Sequence, residues 1–305
     1  MIRLNVPLVP DENVLNNLFG KNICTVNDFL QKKTSNLQSV CNLQCKEITK
    51  LKDCMTVKCS SPLINGYKLY LSKTLSTFIK TGILKLDNLL DGGLFVGNIY
   101  EFCGPSASGK TQLCISILLN IIITTKKEIV YIDTKNKFSV YRIKEILKNK
   151  NMTNNEIKDI LKKIHVYSVI DIYNLITCLH GLKEKLEPII IIDSLPAPYL
   201  SFLGFYKNDG LCYINHISSV LKYLCNKNSS ILVTNLAVKN CDFANEFKPA
   251  IGKYWFHIPN TRLMITTTIN QQQQQQQQMS INIAKSVYIP IDEKCILSIN
   301  DYGVS

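Results

Sequence analysis

Arginine is almost missing from this chain: Arg3, Arg142 and Arg262 are the only three, against 35 lysines and arginines together. The formal charge of +12 is therefore nearly all lysine, and it points only modestly to a polyanionic partner. No apolar run reaches the eighteen or so residues needed to cross a bilayer. The candidate run "LCISILLNIIITT" is interrupted by Ser116 and Asn120 and reads as a buried helix, so no membrane partner is expected. No N-terminal stretch combines the basic, apolar and small-residue regions of a signal peptide. The twelve cysteines follow no regular spacing, so reduced thiols in cytosol or nucleus are expected. Cys41, Cys45, Cys54 and Cys59, spaced C-x3-C-x8-C-x4-C, lack the paired C-x2-C knuckles of a zinc site and read as ordinary buried thiols. His165, His180, His216 and His257 show no ligand spacing, and no Ser/His/Asp constellation stands out.

What is present is enough apolar side chain, 46% of 305 residues, to bury one large α/β domain beside a small one. Residues 1–59 carry short helical patterns such as "ENVLNNLFGKN" and "TVNDFLQKK", with Thr25 and Asn27 as candidate caps, and predict a small helical domain. Residues 60–80 hold the turn residues Ser60, Ser61, Pro62, Asn65 and Gly66 and read as a linker. From residue 81 to 305, apolar β runs alternate with helical segments, the pattern of a mostly parallel sheet covered on both faces. The strands are "GNIYEFCG", "EIVYIDT", "KIHVYSV", "PIIIIDS" and "SSILVTNL", with helices at 111–124, 139–149, 171–186 and 213–227. After Arg262, "RLMITTTIN" and "MSINIAKSVYI" read as antiparallel strands joined by the glutamine tract 271–278, a solvated loop.

"GPSASGKT" fits the phosphate-loop pattern G-x-x-x-x-G-K-[ST] and sits where that motif needs to be, after a strand ending at Cys103 and before an apolar helix. It comprises Gly104, Pro105, Ser106, Ala107, Ser108, Gly109, Lys110 and Thr111. In this geometry backbone N–H groups face the β-phosphate, Lys110 adds charge between the β- and γ-phosphates, and Thr111 places a hydroxyl on Mg²⁺. "IIIID" is the matching second motif, a buried strand carrying Asp193 to its C-terminal end, where a carboxylate can hold Mg²⁺ through water. ATP and Mg²⁺ are the cofactors expected.

"TGILKLDNLLDGGLFVGNIYEFCGPSASGKTQLC" and "FKPAIGKYWFHIPNTRLMI" resemble the eukaryotic RecA-type recombinases. The second segment, with Lys248, Pro249, Gly252, Trp255, Pro259 and Arg262, narrows the resemblance to the type D branch of the Rad-fifty-one paralogues. It implies a RecA-like P-loop ATPase core preceded by a small helical domain that binds partners. It also implies work in homologous-recombination DNA repair in the nucleus, as one subunit of a hetero-oligomer of recombinase paralogues, types C and the X-ray-complementing kind among them. The substrate would be single-stranded or branched DNA, and the role assistance to the main recombinase filament. The phosphate loop with Gln112, and Asp193, match the family. In its RecA-like branch the strand "EIVYID" is expected beside the phosphate loop, delivering a water-activating glutamate. Here "IDTKN" places Lys135 at that position, and a protonated lysine is no general base. A second departure is Leu236 after Asn235, where an active recombinase has a glutamine that senses the γ-phosphate.

Hydrolysis on this chain alone is thus expected to be slow, unless a neighbouring subunit supplies missing groups in trans. The alternative is a self-sufficient DNA-dependent ATPase, a strand-exchange recombinase or RecA-like helicase, which would have a glutamate near 135 and a polar sensor at 236. Two family loops that face DNA would here be "LPAPYLSFLGFYKNDG", with Tyr199, Phe202, Phe205, Tyr206 and Lys207, and "AVKNCDFANEFKPAIGK", with Lys239, Lys248 and Lys253. Aromatics with lysines suit stacking on bases and holding backbone phosphate. Equally, those aromatics read as packing on the core or on a neighbouring subunit.

Overall fold

The structure, a computed structural model, describes residues 4–5, 8–9, 11–60, 63–74, 78–184, 188–200, 209–239, 247–269, 277–291 and 293–305. The chain divides into two units, Met1–Ser72 and Lys73–Ser305. In the first, α1 (Glu12–Gly20), α2 (Val26–Gln31), α3 (Thr34–Cys41) and α4 (Cys45–Cys59) bury Leu18, Phe29, Leu37, Ile48 and Met55 against one another. Thr25 caps α2 with a full capping box: its Oγ1 accepts from the Asp28 N–H at 3.1 Å, and Asp28 Oδ2 accepts from the Thr25 N–H at 2.9 Å. Asn27, the other candidate cap, lies inside the helix, because the box fixes the start two residues earlier. Thr25→Ala should lower the stability of this unit by about 1 kcal/mol, and Thr25→Ser should restore it. The shift in denaturant midpoint checks this.

The stretch read as a linker contains a helix, α5 (Gly66–Thr74). Asn65, read as a turn residue, accepts the N–H groups of Tyr67 and Lys68 at 3.0 and 3.4 Å and so starts that helix.

The second unit opens with a short hairpin of β1 (Phe78–Ile79) and β2 (Leu94–Phe95) around α6 (Leu84–Leu89). Then follow β3 (Ile99–Gly104), α7 (Lys110–Thr125), β4 (Ile129–Asp133), α8 (Val140–Asn149), α9 (Asn154–Leu161), β5 (Ile164–Ser168) and α10 (Ile172–Gly181). The second half carries β6 (Ile189–Asp193), α11 (Pro196–Leu200), α12 (Asp209–Asn226), β7 (Ser230–Lys239), β8 (Phe247–Pro249), β9 (Thr261–Ile269), β10 (Gln277–Lys285), β11 (Lys294–Asn300) and β12 (Gly303–Val304). One sheet runs β12-β11-β10-β9-β3-β7-β6-β4-β5, with β8 paired to β7. From β9 to β5 the pairings are parallel, and from β9 to β12 antiparallel.

The apolar strands are explained by burial on both faces. Ile189 and Ile191 of β6 enter the core that includes α7, α8 and α9, while Ile190 and Ile192 enter the core that includes α10 and α12. The strand "EIVYID", expected beside the phosphate loop, is β4, and in the sheet it is not adjacent to β3, the strand that leads into that loop. β7 and β6 intervene, because the crossover through α7 skips two places that the later strands fill. The glutamine tract also ends differently from the loop expected over 271–278. Gln277 and Gln278 pair with Ile269 and Thr268 as the start of β10, since ladder bonds are made by backbone whatever the side chain. Residues 271–276 lie outside the described residues. Among the described residues no helix is long and apolar enough to cross a membrane.

Candidate nucleotide-binding site

The C-terminal end of β3 runs directly into the loop 104–109 and the N-terminus of α7, so the first N–H groups of a buried 16-residue helix face the loop. The loop's backbone requires its glycines. Gly109 has φ +82°, and a Cβ there would run into Met279 and Ile299; a Cβ on Gly104 would meet the Ile265 carbonyl and Ser108 Oγ. Lys110 Nζ donates to the carbonyls of Gly104 and Pro105 at 2.8 and 2.5 Å and to Ser108 Oγ at 3.0 Å. Its ammonium therefore sits over the loop, where phosphate oxygens would be received. Burial first, then the charge of Lys135, hold its pKa below the usual lysine value.

Asp193 ends β6 and is 6% exposed, so its oxygens need partners. They have three. Thr111 Oγ1 and Tyr131 OH donate to Oδ2 at 2.7 and 2.8 Å, and Thr234 Oγ1 donates to Oδ1 at 2.6 Å. Burial and Asp193 push the Tyr131 phenol well above its usual pKa, which keeps it a donor. A threonine hydroxyl against a carboxylate at a helix N-terminus is a hard-oxygen donor set that fits Mg²⁺. The cavity here is lined by residues 106–112, Lys135, Lys137, Asp193, Ser194, Asn235, Leu236 and Ile299. Gly104 and Pro105 are not part of that lining and act on the site through the carbonyls that hold Lys110. Gln112 accepts from Arg142 Nε at 3.3 Å, which ties α7 to α8.

Sequence reasoning did not find Tyr131, Thr234, Ser194 or Lys137. Tyr131 and Thr234 reach Asp193 from other strands. Ser194 is buried with its Oγ unpartnered in the cavity wall, and only its place after Asp193 could have signalled it. Cys103 and Cys114, beside the loop, are not nucleophiles: burial pushes Cys103 up to about 12 and Cys114 well up.

Behind the cavity wall lies a buried polar cluster. Asn235 Nδ2 and Trp255 Nε1 donate to Glu101 Oε1 at 2.6 and 2.9 Å, while Arg262 Nε donates to Glu101 Oε2. All four residues are at most 2% exposed.

The expected DNA contacts divide. Lys248 and Lys253 line a second cavity with Val238, Pro249, Phe256 and His257. Lys239 is the last residue of β7, its backbone opposite Phe247. Lys207, Phe202, Phe205 and Tyr206 lie outside the described residues. Tyr199 is 1% exposed, inside the core that contains α10 and α12, because α11 plants it there; it offers no face to a base. Of the four N-terminal cysteines Cys41 is buried, Cys54 and Cys59 half-buried and Cys45 exposed. No group of three or more His, Cys, Asp or Glu converges among the described residues.

A mostly parallel sheet in this order, with a phosphate loop after β3 and a carboxylate at the end of β6, defines a RecA-like P-loop α/β fold. The crystal structure of the RadB recombinase shares it, with a TM-score of 0.63 and 19% identity over 74% of this chain and 98% of that one. A family model described as Rad51 matches residues 73–305, and the chain belongs to the Rad51 family. It is 28% identical to the DNA repair protein RAD51 homolog 4 of Mus musculus, over 84% of this chain and 82% of that protein. It is 30% identical to the probable DNA repair protein RAD51 homolog 4 of Dictyostelium discoideum, over 76% and 77%.

Proposed function

We propose that this chain acts in recombination-based DNA repair as an ATP- and Mg²⁺-holding subunit of a hetero-oligomer of recombinase paralogues in the nucleus, engaged with single-stranded or branched DNA. The observation that carries this reading is a complete phosphate loop with Lys110, Thr111 and Asp193 brought together, and Lys135 on the cavity lining in the turn after β4, where a general base would stand. The names of its relatives, DNA repair proteins and recombinases, support the repair role. The cavity holding Lys248, Lys253, Phe256 and His257 combines charge and rings in the way single-stranded nucleic acid is held.

Thr111 and Asp193 would hold the Mg²⁺, which supplies charge neutralisation at the phosphates. The N–H groups of 106–111 and Lys110 bind and orient the phosphates. No carboxylate among the described lining residues other than Asp193 is available to take a proton from water, and Asp193 is occupied by three hydroxyls. The complete loop also weighs against a pure scaffold, because nothing about folding requires Lys110.

The discriminating measurement is ATP turnover by the purified chain with and without single-stranded DNA. The expected result is nucleotide binding without multiple turnover. DNA-stimulated multiple turnover would establish the self-sufficient ATPase instead.

A further inference from the structure

We propose that Lys135, with Lys137 beside it, forms a second cationic subsite that makes this pocket selective for a nucleoside triphosphate over the corresponding diphosphate. The inference rests on the nucleotide reading above and concerns what the replacement of a general base adds to the site, beyond what it removes.

The turn that carries Lys135 is pinned at both ends. Asp133, 4% exposed, accepts the Lys135 N–H on Oδ1 at 3.0 Å and the Phe138 N–H on Oδ2 at 2.7 Å. Asn136 takes the left-handed conformation at φ +53° that closes the turn, and the Phe138 ring packs on Tyr131 with centroids 4.7 Å apart. Thr134 ties the turn to the strand bearing Asp193. Its Oγ1 accepts the Ser194 N–H and donates to the Ser194 carbonyl, both at 2.7 Å. The backbone of residues 133–138 is therefore fixed against the strand that holds the carboxylate, and Lys135 and Lys137 are delivered to the cavity that Lys110 and Thr111 line.

The charge balance of that cavity follows. Its described lining has three ammonium groups, on Lys110, Lys135 and Lys137, against the single carboxylate of Asp193. Lys135 and Lys137 line the same cavity as Lys110, Thr111 and Asp193. A triphosphate brings one more negative charge than a diphosphate, at the end of the chain beyond Lys110. An ammonium placed there interacts with that extra charge and little with the α- and β-phosphates. Lys135 is itself exposed to solvent, so the gain is discounted for water and salt. About a tenfold contribution to the triphosphate-to-diphosphate affinity ratio is expected.

The test is calorimetric titration of the full chain with Mg²⁺ and either a non-hydrolysable ATP analogue or ADP, at low and at high ionic strength. Lys135→Gln should lower the affinity ratio about tenfold through loss of triphosphate affinity, with ADP affinity changed by no more than about twofold. Lys135→Glu should lower it further, and Lys137→Gln less. In the unaltered protein, raising the salt should lower the same ratio, which keeps a readout should a variant fail to fold. A ratio that Lys135→Gln, Lys135→Glu and salt all leave unchanged, in a protein that binds both nucleotides, would overturn the selectivity and leave the nucleotide reading standing. No binding of either nucleotide by the unaltered chain would overturn both.

Discussion

Lys110→Ala should weaken nucleotide binding by at least about 100-fold while leaving the fold intact. The Nζ of Lys110 is aimed at the loop by two carbonyls and the Ser108 hydroxyl, and each charge-assisted hydrogen bond it makes to phosphate is worth roughly 1.5–3 kcal/mol. Two such bonds exceed the ~2.7 kcal/mol that separates affinities a hundredfold apart. The loop keeps its shape without the lysine, because Gly104 and Gly109 are fixed by the strand β9 and by Met279 and Ile299. Lys110→Arg should not rescue binding, since a planar guanidinium does not fit a site shaped for a compact ammonium. Titration with nucleotide, beside a melting curve, checks both statements. Affinity within about threefold of the unaltered protein would refute the assignment of the loop. If Lys110→Ala loses nucleotide but keeps partner pull-down, DNA binding and repair, the nucleotide has no role in the function proposed.

Arg262→Ala should destabilise the second unit by roughly 3–5 kcal/mol, the typical cost of breaking a buried ion pair on one side. That is a large share of a whole domain's stability, typically 5–15 kcal/mol. Glu101 is fully buried, and its carboxylate is shared among Arg262, Asn235 and Trp255. Removing the guanidinium leaves a buried negative charge with two neutral donors. Arg262 also lies over the Phe256 ring, 4.8 Å from its centroid, so packing is lost together with charge. The double change Glu101→Leu with Arg262→Met should recover only part of the loss, because it removes both charges but leaves the buried Asn235 Nδ2 and Trp255 Nε1 donors without their acceptor. The midpoint of denaturant unfolding measures the effect. Trp255, the single tryptophan of the sequence, bonds to the same carboxylate and reports on it by fluorescence. A midpoint unmoved by Arg262→Ala would mean that the pair does not hold the sheet.

What could be read before the structure was what contiguous residues decide. "GPSASGKT" makes its own turn and helix start. "IIIID" needs only its neighbours to be recognised as a strand buried on both faces, and Lys135 is visibly not a carboxylate. The resemblance to a recombinase family rested on such runs, and family and fold both followed. The start of α2 was nearly legible, yet the sequence offered two caps, and only the reciprocal bonds with Asp28 choose Thr25.

The order of the strands was not legible, because hydrophobic pattern says that a strand is buried but not which strand it pairs with. The runs that form β3 and β4 carry no sign that β7 and β6 stand between them. The partners of Asp193 depend on that order, since Tyr131 and Thr234 reach it only because β4 and β7 flank β6. The buried cluster at Glu101 joins residues 134 and 161 positions away in the chain, and Tyr199 could be assigned to a loop or to a core until α11 turned it inward.

The sequence by itself determined the residue types available: a loop of the phosphate-binding pattern, a carboxylate at the end of a buried strand and a lysine just after another. These are properties of residue type at fixed local spacing. Only the tertiary structure decided which of those groups share one cavity, that Lys137 joins Lys110 and Lys135 in it, and which charges are buried in pairs. The physical reason is that electrostatic and hydrogen-bond coupling depends on distance through space, and distance between strands far apart in the chain is set by the pairing of the sheet.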